Sequence, residues 1–155
     1  MDYQILQDTD YTNPRTDYDQ VGTMYCEHSR YTLGDEGAEH PKNLDVIASL
    51  PLYLYDHSGI TMSTSPFSCP WDSGCVGLIY IAKADADEWI NADGTYDTEA
   101  MLAILESEVK EYDQYLTGDV WGYTITDDDG EEIDSCWGFY GHDYCEAEAK
   151  EACIS

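Results

Sequence analysis

The chain has few basic residues and no long hydrophobic run. Of its 155 residues only 6 are lysine or arginine, against 33 aspartate or glutamate, so its formal net charge is -27 at pH 7. A surface of that sign repels phosphates, which excludes nucleic-acid binding through a basic patch. The longest apolar stretches, such as residues 76–82, are far shorter than the roughly 20 residues that span a bilayer. We therefore expect neither nucleic acid nor a membrane as a direct partner.

Signs of export are also missing. The first residues contain no basic segment followed by an apolar one, the pattern of a secretory signal. The 6 cysteines would allow three disulfides, but cysteine is too sparse for a disulfide scaffold. Reduced thiols and a cytoplasmic location are the expectation.

Apolar and aromatic residues are nevertheless frequent enough for a folded core. Hydrophobic residues make up 43% of the chain and aromatic residues 13%, whereas disordered acidic segments are poor in both. The length is that of one ordinary domain, and no linker-like segment divides it. We expect one acidic domain over residues 1–155.

The first half of the chain is typical of loops and strands. Residues 1–48 are rich in turn-forming residues and predict loops with short strands. Residues 52–55 and 60–63 predict a hairpin that turns at residues 56–59. Residues 76–82 are apolar on both faces, which is typical of a strand in the middle of a sheet.

Two helices are predicted in the second half, at residues 98–116 and 142–153, from apolar residues recurring every three or four positions. Between them, two strands flank a turn at residues 127–130. Alternate residues of each strand are expected to share one face: Trp121, Tyr123 and Ile125 on the first strand, and Ile133, Trp137 and Phe139 on the second. The predicted class is α+β, an antiparallel sheet with two main helices packed on it.

No metal or cofactor site has a convincing pattern. Cys26-x-His28 and His142-x-x-Cys145 could each supply two zinc ligands, but paired C-x2-C motifs are absent. Residues 91–97 resemble the middle of a calcium loop without its first and last carboxylates. No glycine-rich phosphate loop with its lysine occurs. We expect no metal and no cofactor.

A catalytic arrangement is conceivable in two loops. The thiol of Cys69 could act as a nucleophile, with His57 as its base and Asp72 or Asp56 orienting the imidazole. Such a triad needs spatial proximity that a sequence does not establish. A loop that only packs its aromatic residues is the simpler interpretation.

These two loops, residues 56–59 and 69–74, define the alternative function. They concentrate titratable, aromatic and glycine residues at the ends of predicted strands, where binding sites often form. On this interpretation the protein is an enzyme or a ligand- or metal-binding domain. Its acidity would then be an adaptation to high salt.

The negative charge is densest in the second half of the chain, which carries twice the net charge of the first half. Because self-repulsion destabilises a folded protein, such density suggests a function. A fixed array of carboxylates can imitate nucleic-acid phosphates and occupy a basic groove, with fast association. The predicted partner-binding residues are Asp127, Asp128, Asp129, Glu131, Glu132 and Asp134 around the hairpin turn, with Glu106 and Asp113 on the first main helix.

Four separated motifs cover much of the chain between residues 12 and 150. They are YLYDHSGI at residues 53–60, FSCPWDSG at 67–74, EYDQYLTGDV at 111–120 and SCWGFYG at 135–141. In these motifs the chain resembles a family of small proteins encoded by bacteriophages, plasmids and related mobile elements. The resemblance implies a mobile-element setting and a single domain, but no particular activity.

In that setting, small accessory proteins without a catalytic signature are often antagonists of host defence, an inference from analogy. Together with the charge, it predicts a non-enzymatic protein that binds and inhibits a host protein with a basic surface. A nuclease, a restriction factor or another defence protein in the host cytoplasm would fit this description.

Overall fold

The computed structural model of the chain describes residues 1–69 and 71–154. Its strands are β1 (Asp2–Gln7), β2 (Thr23–Cys26), β3 (Val46–Asp56), β4 (Ile60–Ser63), β5 (Ser73–Ala82), β6 (Val120–Thr126) and β7 (Glu132–Tyr140). Its α-helices are α1 (Pro14–Asp17), α2 (Thr98–Thr117) and α3 (His142–Ile154). Short 3-10 helices lie at Pro41–Asn43, Lys83–Asp85 and Asp87–Trp89. The predicted α+β class is confirmed.

The chain divides into two compact units, which we describe separately. The terminal unit contains residues 1–13 and 114–155, and the central unit contains residues 14–113. One boundary falls just before α1 and the other within α2. The antiparallel strands that the sequence predicts are divided between two sheets, of order β1-β6-β7 and β2-β5-β3-β4. The single domain over residues 1–155 stays a prediction.

In the terminal unit, α3 packs on one face of the three-stranded sheet. The core contains Tyr123 and Ile125 from β6, and Cys145 and Ala149 from α3. These are residues for which period-two and helical spacing predict an inward position. The predicted second helix, residues 142–153, is confirmed to within one residue.

The prediction for β7 is partly wrong. Phe139 faces the core and contacts Tyr123, with 5.6 Å between ring centroids. Ile133 and Trp137, expected beside it, are 53% and 47% exposed. The pairing of β6 with β7 has two register shifts, and Gly138 takes a positive φ of 85° in the one between Cys136 and Phe139. Such bulges change which face a side chain occupies, which hydrophobic alternation does not reveal.

In the central unit, β5 is an interior strand paired with both β2 and β3, as residues 76–82 predicted. The hairpin of β3 and β4 is also confirmed, with Asp56 opposite Ile60. Its turn places Ser58 and Gly59 at positive φ, 58° and 135°. The loop-rich character of residues 1–48 is confirmed by the short elements found there.

Helix α2 begins and ends where the sequence signals it. The Asp97 carboxylate accepts a hydrogen bond from the backbone N–H of Ala100 over 3.2 Å, which caps the first turn. Gly118, with a φ of 77°, follows the last residue. The buried apolar residues are Met101, Leu105, Val109 and Tyr112. Neither α2 nor any other helix within residues 1–69 and 71–154 is long and apolar enough to cross a membrane.

Candidate functional site

The six carboxylates predicted around the turn lie together on the β6–β7 hairpin, which we call the acidic hairpin: Asp127, Asp128, Asp129, Glu131, Glu132 and Asp134. The Asp127 carboxylate accepts hydrogen bonds from the backbone N–H groups of Asp129 and Glu131, over 2.9 and 3.0 Å. Gly130 supplies a positive φ of 81°. These hydrogen bonds and the glycine define the geometry of the turn.

The other five carboxylates of the acidic hairpin belong to exposed residues, whereas Asp127 is half-buried. Asp128 accepts a hydrogen bond from the amino group of Met1 over 3.0 Å. In the sequence, no lysine or arginine lies between Lys110 and Lys150. Lys150 forms an ion pair with Glu146, with 3.3 Å between Nζ and Oε1. The hairpin therefore presents a local excess of negative charge to solvent.

Glu106 and Asp113, also predicted to bind a partner, hold α2 against β4 and the residue that follows it in the central unit. Asp113 accepts hydrogen bonds from the Thr61 hydroxyl over 2.6 Å and from the Met62 N–H over 2.8 Å. Glu106 accepts one from the Thr64 hydroxyl over 2.6 Å. Both carboxylates thus have a structural role that the helical pattern alone did not indicate.

Glu108, another carboxylate of α2, does not contribute to an acidic surface, because its residue is only 9% exposed. Its carboxylate binds the buried guanidinium of Arg15, with 2.9 Å between Oε1 and Nη1. It also accepts hydrogen bonds from the N–H groups of Val21 and Gly22, over 2.7 and 3.0 Å. The sequence did contain one indication that Glu108 is buried: it lies three residues after Leu105, within the apolar stripe of the helix.

Asp35 completes this buried ion-pair network. Its carboxylate accepts two hydrogen bonds from Arg15, over 2.7 and 2.8 Å, and a third from the Met24 N–H. Burial lowers the pKa of the Arg15 guanidinium, but Asp35 and Glu108 outweigh this effect and raise that pKa. Arg15 is therefore a structural cation and is not available to a ligand.

The two loops of the alternative site are partly brought together. His57 Nδ1 lies 3.2 Å from Asp72 Oδ2, and the Asp56 N–H donates to the Asp72 carbonyl over 2.8 Å. The Cys69 carbonyl accepts a hydrogen bond from the Ser73 hydroxyl. Among the described residues, no hydrogen bond joins the Cys69 thiol to His57. The structure thus forms the His–Asp pair but does not connect the proposed nucleophile to it.

Residues after β2 complete this site and were missed by sequence reasoning. Arg30 forms an ion pair with Asp56, and the Tyr31 hydroxyl donates to the same carboxylate over 3.2 Å. A groove of about 390 Å³ is lined by Arg30, Asp56 and Asp72, and by Trp71, which is 91% exposed. The sequence indicated the role of Arg30 in this site only weakly, because Arg30 is one of few cations in the chain.

Within residues 1–69 and 71–154, no group of three or more His, Cys, Asp or Glu side chains is placed to hold a metal ion. In the calcium-like loop, Asp93 instead accepts hydrogen bonds from the N–H and the hydroxyl of Thr95, over 3.0 and 2.6 Å. The side chains that could have been ligands form a turn before α2.

Comparisons of the chain with protein-family models, with curated proteins and with solved structures found no match.

Proposed function

We propose that the protein is a non-enzymatic accessory protein of a mobile element that binds and inhibits a basic host protein. The target class is a nuclease, a restriction factor or another nucleic-acid-processing defence protein, met in the host cytoplasm. The acidic hairpin is the contact surface. It carries the proposal because it presents exposed carboxylates on a turn whose geometry is set by internal hydrogen bonds.

The physics of this surface favours fast capture of a cation-rich groove. Carboxylates held close together make the local electrostatic potential more negative. A positively charged partner is then attracted over about one Debye length, roughly 8 Å in physiological salt. A turn whose backbone is already held by hydrogen bonds also loses little backbone entropy on binding. Binding of this kind weakens as salt is added and requires no turnover by the acidic protein.

The experiment is a pull-down from host lysate at low and high salt, with mass spectrometry of the retained proteins. The test variant combines Asp128→Asn, Asp129→Asn and Glu131→Gln, which leaves the structural Asp127 intact. We expect the wild type to retain one basic nucleic-acid-processing protein at low salt, and the variant to lose it.

The matched control combines Asp85→Asn, Asp87→Asn and Glu88→Gln, exposed residues of the central unit. It removes the same residue types and the same charge at another place. If both variants bind alike, net charge rather than the hairpin accounts for the binding. A wild-type protein that retains no basic partner contradicts the proposal.

A second candidate function is ligand binding in the groove beside the His57–Asp72 pair. The specific observation is that the exposed indole of Trp71 lines the same groove as Arg30, whose side chain is 68% exposed. A thermal-shift screen with small carboxylates and phosphates would test it, using Arg30→Gln as the comparison. Stabilisation of the wild type alone would favour this function, and none would count against it.

A further inference from the structure

Strand β7 is an edge of the terminal unit's sheet. In the described part of the chain it pairs with β6 on one side and with no strand on the other. The backbone N–H of Ser135 donates to the Asp134 carboxylate over 2.8 Å, so it points away from β6. An outward N–H on an edge strand is a donor that another extended chain can use.

Strand β7 also carries two exposed apolar side chains. Ile133 and Trp137 are 53% and 47% exposed. A Cβ built on Gly122 would lie 2.1 Å from the indole of Trp137, so the ring rests directly on the β6 backbone. A tryptophan supported in this way is already ordered, and aromatic side chains of this kind dominate the binding energy of many interfaces.

The negative charge near β7 determines which kind of chain can pair with this edge strand. Glu131, Glu132 and Asp134 are exposed at or near the start of β7. A second copy of the chain, with its net charge of -27, is repelled by them, which is how charged edge strands avoid self-pairing. A segment with lysine or arginine is attracted instead. Its cation can form an ion pair with the Asp134 carboxylate, which frees the Ser135 N–H to donate to the added strand.

We infer that the partner adds an extended basic segment to β7 as a fourth strand of this sheet. Its cations pair with Glu132 and Asp134, and an apolar side chain covers Trp137. This inference rests on the proposed function and names its binding mode. Strand addition supplies main-chain hydrogen bonds, and the side chains supply the preference for a basic sequence.

The test uses a fluorescent peptide of about ten residues that alternates lysine and valine, long enough for one strand. A second peptide of the same sequence carries N-methyl groups on alternate residues, on the edge that would meet β7, and cannot donate the strand hydrogen bonds. Affinities are measured at physiological salt. We expect the methylated peptide to bind about tenfold more weakly or worse.

Ser135→Pro is the matching protein variant, because it removes the outward N–H and leaves the ladder with β6 unaffected. Ser135→Ala is its control and keeps the N–H. We expect the proline variant to lose about tenfold or more in affinity for the unmethylated peptide, and the alanine variant to bind like the wild type. Circular dichroism tests whether the variants fold. If the proline variant does not fold, the comparison of the two peptides with the wild-type protein still tests strand addition.

Equal binding of both peptides overturns the inference, as does a proline variant that folds and binds normally. In either case the proposed function is judged separately, by whether the acidic-hairpin variant still retains the host protein. If neither peptide binds, strand addition of a basic segment is also overturned. Weaker binding of the unmethylated peptide to Trp137→Ala than to the wild type would further support the apolar contact.

Discussion

The guanidinium of Arg15 and the carboxylate of Glu108 meet inside the central unit, with 2.9 Å between Nη1 and Oε1. The two residues are 93 positions apart in the sequence. Asp35 binds the other side of the same guanidinium. Two of the chain's many carboxylates thus serve to hold the loops before and after β2 against α2.

Replacing Glu108 by alanine should strongly destabilise the protein. It leaves part of a buried guanidinium and the N–H groups of Val21 and Gly22 without their acceptor. Removing one partner of a buried ion pair lowers the free energy of unfolding by about 3–5 kcal/mol. Urea unfolding followed by circular dichroism measures the change.

The control for that experiment is Glu106→Ala on the exposed side of the same helix. It removes one hydrogen bond from the Thr64 hydroxyl, which solvent can replace. The expected loss is about 1 kcal/mol or less. Equal losses for Glu106→Ala and Glu108→Ala would contradict the structural role of the buried network.

Asp127 should behave differently from the other carboxylates of the acidic hairpin. Asp127→Ala removes the acceptor of two backbone N–H groups and should lower the free energy of unfolding by about 1–2 kcal/mol. Asp127→Asn keeps an acceptor oxygen and should be close to neutral. Thermal unfolding of both variants tests this, and an asparagine variant as unstable as the alanine variant would disprove it.

Gly122→Ala should destabilise the terminal unit through Trp137. The added methyl would lie 2.1 Å from the indole, so the ring must move. Overpacking of this kind lowers the free energy of unfolding by about 1–3 kcal/mol. In a Trp137→Ala background the same change should have much less effect, which a double-mutant cycle measures. Additive effects would show that the two residues do not interact.

Cysteine alkylation at pH 8 should separate buried from exposed thiols. Burial, chiefly, raises the pKa of Cys26 to about 12 and that of Cys145 to about 11. A raised pKa keeps these thiols protonated at pH 8, and only the thiolate reacts quickly. Iodoacetamide should therefore modify the exposed Cys75 and Cys136 first, as mass spectrometry can follow. Equally rapid modification of Cys145 would contradict this burial.

Local signals in the sequence predicted most elements of the fold. Helical spacing with Asp97 before it and Gly118 after it located α2 to within one residue. The turn chemistry of Asp127 and Gly130 located the acidic hairpin, and apolar residues on both faces identified β5 as an interior strand. These features depend on neighbours in the chain, whose geometry is set by backbone sterics and hydrogen bonding.

Features that depend on distant contacts were not predictable from spacing. The exposure of Ile133 and Trp137 follows from register shifts in β7, which alternation does not encode. The ion pair of Arg30 with Asp56 depends on how the loop after β2 meets the end of β3. Each requires a tertiary arrangement that brings together groups far apart in the chain.

The carboxylates show this division most clearly. The sequence by itself determined how much negative charge the protein carries and that the charge is densest after residue 78. Only the tertiary structure decided that Glu108 is buried against Arg15, that Asp113 binds β4, and that the acidic hairpin is exposed. The physical reason is that ionisation belongs to the side chain, whereas desolvation and pairing depend on which other residues surround it.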